Sequence, residues 1–356
     1  MTGSSPAVVA QPTAPRVTVV VVPRERFSHS KVALETLYQN TALPFELTYV
    51  DANSPRHVAR YLRQQAAERN FQLIRQERYL SPNQARNVGL GAVTSEYVVF
   101  IDNDCEVAPG CLAALLRCAE ETGAWAVAPV YFERDSAVRR VHMAGARVAI
   151  VEQNGVRDYE CAHFHLDCPI DELVPSLRRA ETDLFEFHCV LLRRSALDLL
   201  GPLDEQLSAL EQEDLALSIR AAGGTIYLEP EAQVTYALGD TIDHADAAYV
   251  RLRWSEDWNR RSVAHFRTKW NLKPGWGEDT VDWCNEHRHR VLAASRTPSL
   301  VRRALRRLKR QLMTIRSITP LQAAVESAAQ ERRSGVHMTK DVGVEPARHG
   351  VAPRRL

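Results

Sequence analysis

Between residues 17 and 122, short β-branched runs alternate with amphipathic stretches. Val17–Val22, Glu46–Asp51, Phe71–Arg75 and Tyr97–Asp102 read as strands, and Lys31–Asn40, Pro55–Glu68, Asn83–Gly91 and Pro109–Thr122 read as helices. This alternation predicts an α/β fold, a Rossmann-like, mostly parallel sheet flanked by helices. Ligands of open α/β sheets bind beyond the carboxyl ends of the strands. Pro23, Asp51 and Asp102 stand at or just after three such ends, so they are expected to converge on one crevice, with a nucleotide as its first candidate occupant.

The pattern is less regular over residues 123–185, where two strand candidates (Trp125–Tyr131, Arg147–Glu152) sit in a polar stretch containing His and Cys. Order returns with a strand at Phe187–Leu192, a helix, a turn at Gly201–Asp204, a second helix near Glu211–Ala222 stopped by Gly223-Gly224, and a strand at Thr225–Leu228. After Trp270 the α/β periodicity ends. The expected organisation is a Pro/Ser/Ala-rich disordered leader (1–15), an α/β domain (16–272), a basic helical extension (273–320) and a disordered tail (321–356).

Composition adds limits. The chain has 356 residues, 45% of them hydrophobic and 25% charged, which is enough to bury a sizeable core. Its apolar runs fall well short of the roughly 20 residues that span a bilayer. Seven cysteines and no recognisable secretory signal fit free thiols in a reducing, cytoplasmic setting. The 45 Lys+Arg and 44 Asp+Glu conceal an asymmetry, because residues 276–356 hold 16 of the former and 8 of the latter.

Ten of those basic residues lie between Arg288 and Arg316 with no acid among them. Thr297-Pro298 can start a helix and Thr319-Pro320 can stop it. Val301, Leu305, Leu308, Leu312 and Ile315 then form one stripe, with Arg302, Arg303, Arg306, Lys309 and Arg310 around it. Such a helix can lie peripherally on an anionic membrane or pack its stripe against the acidic remainder of the chain. A nucleic-acid partner is disfavoured, since the segment lacks aromatic stacking residues.

The sharpest chemical feature is Asp102-Asn103-Asp104 directly after an apolar strand. Two carboxylates one residue apart suit a hard divalent cation with positions left for phosphate oxygens, and the same tripeptide also suits a plain turn. The segments Val17–Val22 with Pro23, Tyr49–Ser54, Asn83–Leu90, Val98–Asp104 and Leu200–Glu205 decide between them. In order and spacing the chain resembles the family-2 type glycosyltransferases with the A-type nucleotide-sugar fold. The resemblance runs over about residues 16–272 and includes Gly223-Gly224 and Arg261–Trp270.

The resemblance implies an inverting, metal-dependent transfer of a sugar from a nucleoside diphosphate sugar to a hydroxyl acceptor, which could be a glycan, a lipid or a small molecule. It implies that Asp51 contacts the nucleotide base, that Pro23 lies near the nucleoside and that Arg86 lies near the diphosphate. Asp102 and Asp104 match the DxD pair, with Asp104 on Mn2+ or Mg2+ and Asp102 on ribose or metal-bound water. Asp51 could instead close an Asx turn, and Arg86 could be an ion-pair partner.

Two departures stand out. The family's base Asp is replaced by Gln212, and an amide cannot take a proton from an alcohol at neutral pH. Glu211 and Glu213 flank it, either of them a candidate base, although acids in a first helical turn are also stabilised by the helix dipole alone. Where many relatives place a metal-binding His, this chain has Tyr236, with His244 a possible replacement. A catalytically weakened nucleotide-sugar-binding pseudoenzyme or partner subunit is therefore the rival reading. His142, His163, His165 and His188, with Cys161 and Cys168, also invite a zinc reading, though their spacing matches no common zinc pattern.

Overall fold

The computed structural model describes residues 15–133, 140–169, 173, 177–236 and 242–296. The expected basic helix after Thr297 and the expected tail lie outside these residues, as does the leader up to residue 14.

Strands β1 (Val17–Val22), β2 (Glu46–Ala52), β3 (Gln72–Gln76) and β4 (Tyr97–Asp102) pair in parallel in the order β3-β2-β1-β4. All six residues of β1 and of β4 are buried. Val17, Val19 and Val21 face one core with Tyr97, Val99 and Ile101, while Val20 and Val22 face another with Val98 and Phe100. Burial on both faces explains why these strands read as unbroken apolar runs. The chain leaves β1 towards β2 on one side and returns to place β4 on the other. The ends of β1 and β4 thus flank a topological switch point, where a crevice opens.

The helices α1 (Ser30–Asn40), α2 (Arg56–Arg69), α3 (Pro82–Leu90) and α4 (Cys111–Thr122) fall within a residue or two of their sequence-based bounds. Helix α3 starts at a capping box: Ser81 accepts from the Gln84 amide, the Gln84 side chain accepts from the Ser81 amide, and Pro82 takes the first helical position. Its Gly89 lies tight against the sheet, where a Cβ would meet Val20 at 2.3 Å and Val50 at 3.2 Å.

Beyond β4 the sheet becomes mixed. It includes β5 (Cys105–Val107), β6 (Ala126–Glu133), β7 (Arg140–Met143), β10 (Ala180–Glu181), β11 (Cys189–Arg193) and β12 (Ile226–Tyr236). Strand β11 runs antiparallel to β4, and β12 parallel to β6. A separate hairpin, β8 (Ala146–Gln153) and β9 (Val156–His163), turns at Asn154-Gly155, both with positive φ as a tight two-residue hairpin turn requires. The remaining helices are α5 (Arg194–Leu200), α6 (Glu211–Ala221), α7 (Ala247–Arg253), α8 (Glu256–Lys269) and α9 (Glu278–Arg296).

One compact unit continues past residue 272 to Ser295. The reason is apolar burial. Leu272 and Val281 join the core that holds Val263 and Phe266, and Cys284 and Val291 pack with Val250 and Trp254. None of the seven cysteines is in a disulfide. Among the described residues no helix is long and apolar enough to cross a membrane.

Candidate active site

The carboxyl end of β4 delivers Asp102 into a set of cations. Arg86 donates to Asp102 Oδ1 at 3.3 Å, and the Nδ1 of His188, just before β11, lies 3.2 Å from Oδ2. Arg24, just after β1, lies 3.6 Å from the same oxygen. Burial pushes the Asp102 carboxyl up, but the His188 bond and the two guanidiniums outweigh it and hold the group below its ordinary range. Arg86 is itself sealed, with its guanidinium over the Phe187 ring at 3.6 Å and 3.7 Å from Glu211 Oε1. The expected diphosphate contact at Arg86 is therefore turned inward, where it ties β4 to the start of α6.

Asp104 is different. It is fully buried, and neither carboxylate oxygen has a hydrogen-bond partner. Burial first, then the charges of Asp102 and Glu25, push it up to about 7. A buried carboxylate is costly unless something compensates it. Two unpaired oxygens beside a second carboxylate form an oxygen donor set that suits a hard divalent cation, so these residues fit the implied metal. Asn103 between them is structural: it accepts from the Arg24 amide at 3.0 Å and donates to the Arg26 carbonyl and Ser30 Oγ.

The first turn of α6 separates the two candidate bases. It follows Leu210, whose φ of 65° is strained for a leucine. Glu211 is buried between Arg86 and Arg253, the latter donating at 3.2 Å. Glu213 is also buried, but its Oε2 has no partner, while its Oε1 accepts a 3.4 Å contact from the Gln212 side-chain Nε2. Burial, with the neighbouring charges of Glu211, Glu186 and Asp214 adding to it, pushes Glu213 up to about 8. Asp214 is taken by Lys269 and the Trp270 indole N–H, at 2.8 and 2.9 Å.

A cover built from the C-terminal helices completes the site. His287 on α9 bonds Glu25 at 3.0 Å and packs on Trp254, whose ring also lies under the Arg253 guanidinium. Burial raises the Glu25 carboxyl, yet the His287 charge and hydrogen bond, with Arg24 and Arg26, bring it well below the ordinary range.

The other predicted residues divide. Asp51 is buried, accepts from the Ser54 amide three residues on at 2.9 Å and pairs with Arg75 at 2.7 Å. The Pro23 carbonyl, next to Arg24, is 3.4 Å from the Tyr249 hydroxyl. His244 is exposed on a 3-10 turn and joins no metal-competent cluster among the described residues, because its flanking Asp243 and Asp246 are engaged in capping and in bonding Ser28. Tyr236 stacks on His188 with centroids 4.1 Å apart, its hydroxyl buried and unpartnered. The zinc reading is half met: His142 and His188 come together, joined by Glu186, while His163, His165, Cys161 and Cys168 stand outside that cluster. Arg24, Arg253, His287 and Glu186 went unpredicted. Only Arg24, two residues past a strand end, carried a signal in the sequence.

The sequence pattern described as Glycosyl transferase family 2 matches residues 19–198, half of the chain. The chain belongs to glycosyl transferase family 2. A pre-mycofactocin glycosyltransferase of Mycobacterium tuberculosis is 31% identical over 156 residues, covering 44% of this chain. The match spans 30% of that curated relative's length. Among solved structures, GalNAc-T7 with UDP, GalNAc and Mn2+ aligns with a TM-score of 0.51 at 17% identity, covering 78% of this family-2 chain and 55% of that one. The mannosyltransferase PcManGT from Pyrobaculum calidifontis, in complex with GDP-Man and Mn2+, gives 0.49 at 19% identity, covering 91% and 88%. Fold and family are those that the motifs implied, an A-type glycosyltransferase sheet.

Proposed function

We propose that this family-2 chain is an inverting, metal-dependent glycosyltransferase that moves a sugar from a nucleoside diphosphate sugar to a hydroxyl acceptor. The observation that carries the reading is Asp104, buried at the switch point beside Asp102 with both oxygens unpaired. A divalent ion, Mn2+ or Mg2+, held by Asp104 with Asp102 would neutralise the charge that builds on the departing diphosphate. Pro23 and Asp51, at the ends of β1 and β2, would flank the nucleoside. Arg86 and His188 orient Asp102, and His244 has no part in the proposal.

Glu213 is the proposed base, since Glu211 is consumed by two guanidiniums. Its unpaired oxygen takes the proton of the acceptor's hydroxyl as the hydroxyl oxygen attacks the anomeric carbon from the face opposite the diphosphate. The glycosidic bond forms, the sugar–phosphate bond breaks, and the electron pair leaves on the diphosphate, so the configuration inverts. Glu213 must be ionised to act, and with its carboxyl near 8 the rate should climb with pH through that value.

A panel of nucleotide sugars with Mn2+, assayed for nucleoside diphosphate release, tests the reading. Glu213→Gln should cut transfer about 10²–10⁴-fold with donor affinity nearly unchanged, and Glu211→Gln should instead lower stability. Asp104→Ala should abolish metal-dependent donor binding in calorimetry. Unchanged transfer in Glu213→Gln would remove it as the base. Donor affinity without turnover in the parent chain would favour the binding-protein reading, which the Gln at position 212 motivates.

A further inference from the structure

A second group of metal-competent side chains meets the first at His188, which orients Asp102, and otherwise has no part in the transfer chemistry. His142 on β7 and Glu186 and His188 before β11 bring three donor groups within 4.8 Å of one another. His142 Nε2 is 3.0 Å from one Glu186 oxygen, and His188 Nε2 is 3.0 Å from the other. Both rings present the same nitrogen to this point and the other to a carboxylate behind it. His142 Nδ1 is 2.7 Å from Glu133, and His188 Nδ1 is 3.2 Å from Asp102.

That outer arrangement matters. An imidazole that ligates a metal donates its remaining N–H to a carboxylate or carbonyl, which fixes the tautomer and makes the ligating nitrogen more basic. Here both imidazoles already have such a partner. The backbone that sets Glu186 is fixed as well, because the Tyr131 hydroxyl donates to the Cys189 carbonyl at 2.9 Å and accepts from the Glu186 amide at 3.0 Å. Metal–nitrogen bonds of about 2.0–2.1 Å put tetrahedral ligands roughly 3.3 Å apart, close to the 3.0 Å that separates each imidazole nitrogen from its Glu186 oxygen. His188 is buried and Glu186 nearly so, whereas the His142 side chain keeps 23% of its surface exposed, which gives an ion a way in.

We propose that His142 Nε2, His188 Nε2 and the Glu186 carboxylate bind a divalent ion of the zinc class, distinct from the ion at Asp102 and Asp104. Two nitrogens and one carboxylate suit zinc and its first-row neighbours, while Mg2+ prefers an all-oxygen set. The ion replaces the protons that otherwise lie between Glu186 and the two imidazoles, with no oxidant or reductant needed. By fixing His188 it holds Asp102, so Glu186 and His142 act as positioning residues for the neighbouring site.

The test uses the full chain, stripped with chelator and carrying Asp104→Asn to remove the other site, so the result does not depend on the proposed transfer activity. Zn2+ alone is titrated against a competing chromophoric chelator, and Co2+ is added as a spectroscopic probe. We expect one tight equivalent and visible ligand-field bands from Co2+. Adding His142→Ala should weaken binding at least 100-fold, and Glu133→Gln, which leaves all three ligands in place, about 10–100-fold. Absence of zinc binding, or equal affinity in the His142→Ala chain, would overturn the proposal. Should His142→Ala fail to fold, Glu133→Gln decides: weakened binding supports the site, and unchanged binding sinks it.

Discussion

The acidic groups of the site fall into two regions that differ in what surrounds them. On one side Asp102 and Glu211 share Arg86, with Arg24, His188 and Arg253 around them, so each buried carboxylate faces cations. On the other, Asp104 and Glu213 are equally buried but keep oxygens with no partner at all. Asp102 stands two positions from Asp104, and Glu211 two positions from Glu213, so composition does not distinguish them. The compensated carboxylates are fixed structure; the uncompensated ones hold unspent binding capacity for a cation or a proton.

The largest effect should come from breaking the compensated side. Arg86→Leu leaves Asp102 and Glu211 without their shared cation, and removing one partner from a buried pair costs about 3–5 kcal/mol. Denaturant unfolding of the variant measures this; an unchanged midpoint would show that Arg24, His188 and Arg253 suffice.

The next effect has the opposite sign. In chelated protein, Asp104→Asn removes an uncompensated buried carboxylate and should raise stability by about 1–3 kcal/mol. The same variant should lose the rise in melting temperature that Mn2+ gives the parent. A destabilised Asp104→Asn chain would mean that the carboxylate is compensated in solution and that the two regions are alike.

A smaller, graded effect follows from pH. Asp104 and Glu213 stand near 7 and 8, above their ordinary carboxylate range, so the folded chain holds these protons more tightly than the unfolded one. Their contribution to stability is complete below about pH 4 and is lost as pH rises through 7 to 8. His142, where Glu186 and Glu133 outweigh burial and push it up to about 10, has the same sign above neutrality. Chelated parent protein should therefore lose stability between about pH 5 and 8.5, and Glu213→Gln should flatten part of that slope. The check is melting temperature against pH for both chains.

How legible the molecule was depends on the same contrast. The parallel half could be read because strands buried on both faces print their position as unbroken runs, and Val17–Val22 and Tyr97–Asp102 were placed residue for residue. Asp102 and Asp104 followed because a short motif sits at a strand end. The surroundings of those carboxylates were hidden, since they are made by pairs far apart in the chain: His188 lies 86 positions from Asp102, and Arg253 lies 42 from Glu211. No local pattern could tell Glu211 from Glu213, because the difference lies in which of them meets Arg253. The core contacts of Val281, Cys284 and Val291 were hidden for a related reason, the apolar positions there being too sparse to announce them.

The Glu25–His287 contact also bears on the order of events during synthesis. Its partners are 262 positions apart, so β1 is made long before the helix that covers it. At about 5–20 residues per second the interval is on the order of 10–50 seconds. Once residue 102 has been made the β1–β4 pair can form, while Glu25 still waits for His287. Nascent chain therefore passes through a stage in which β1 and β4 can pair while the buried Glu25 carboxylate has no His287 beside it.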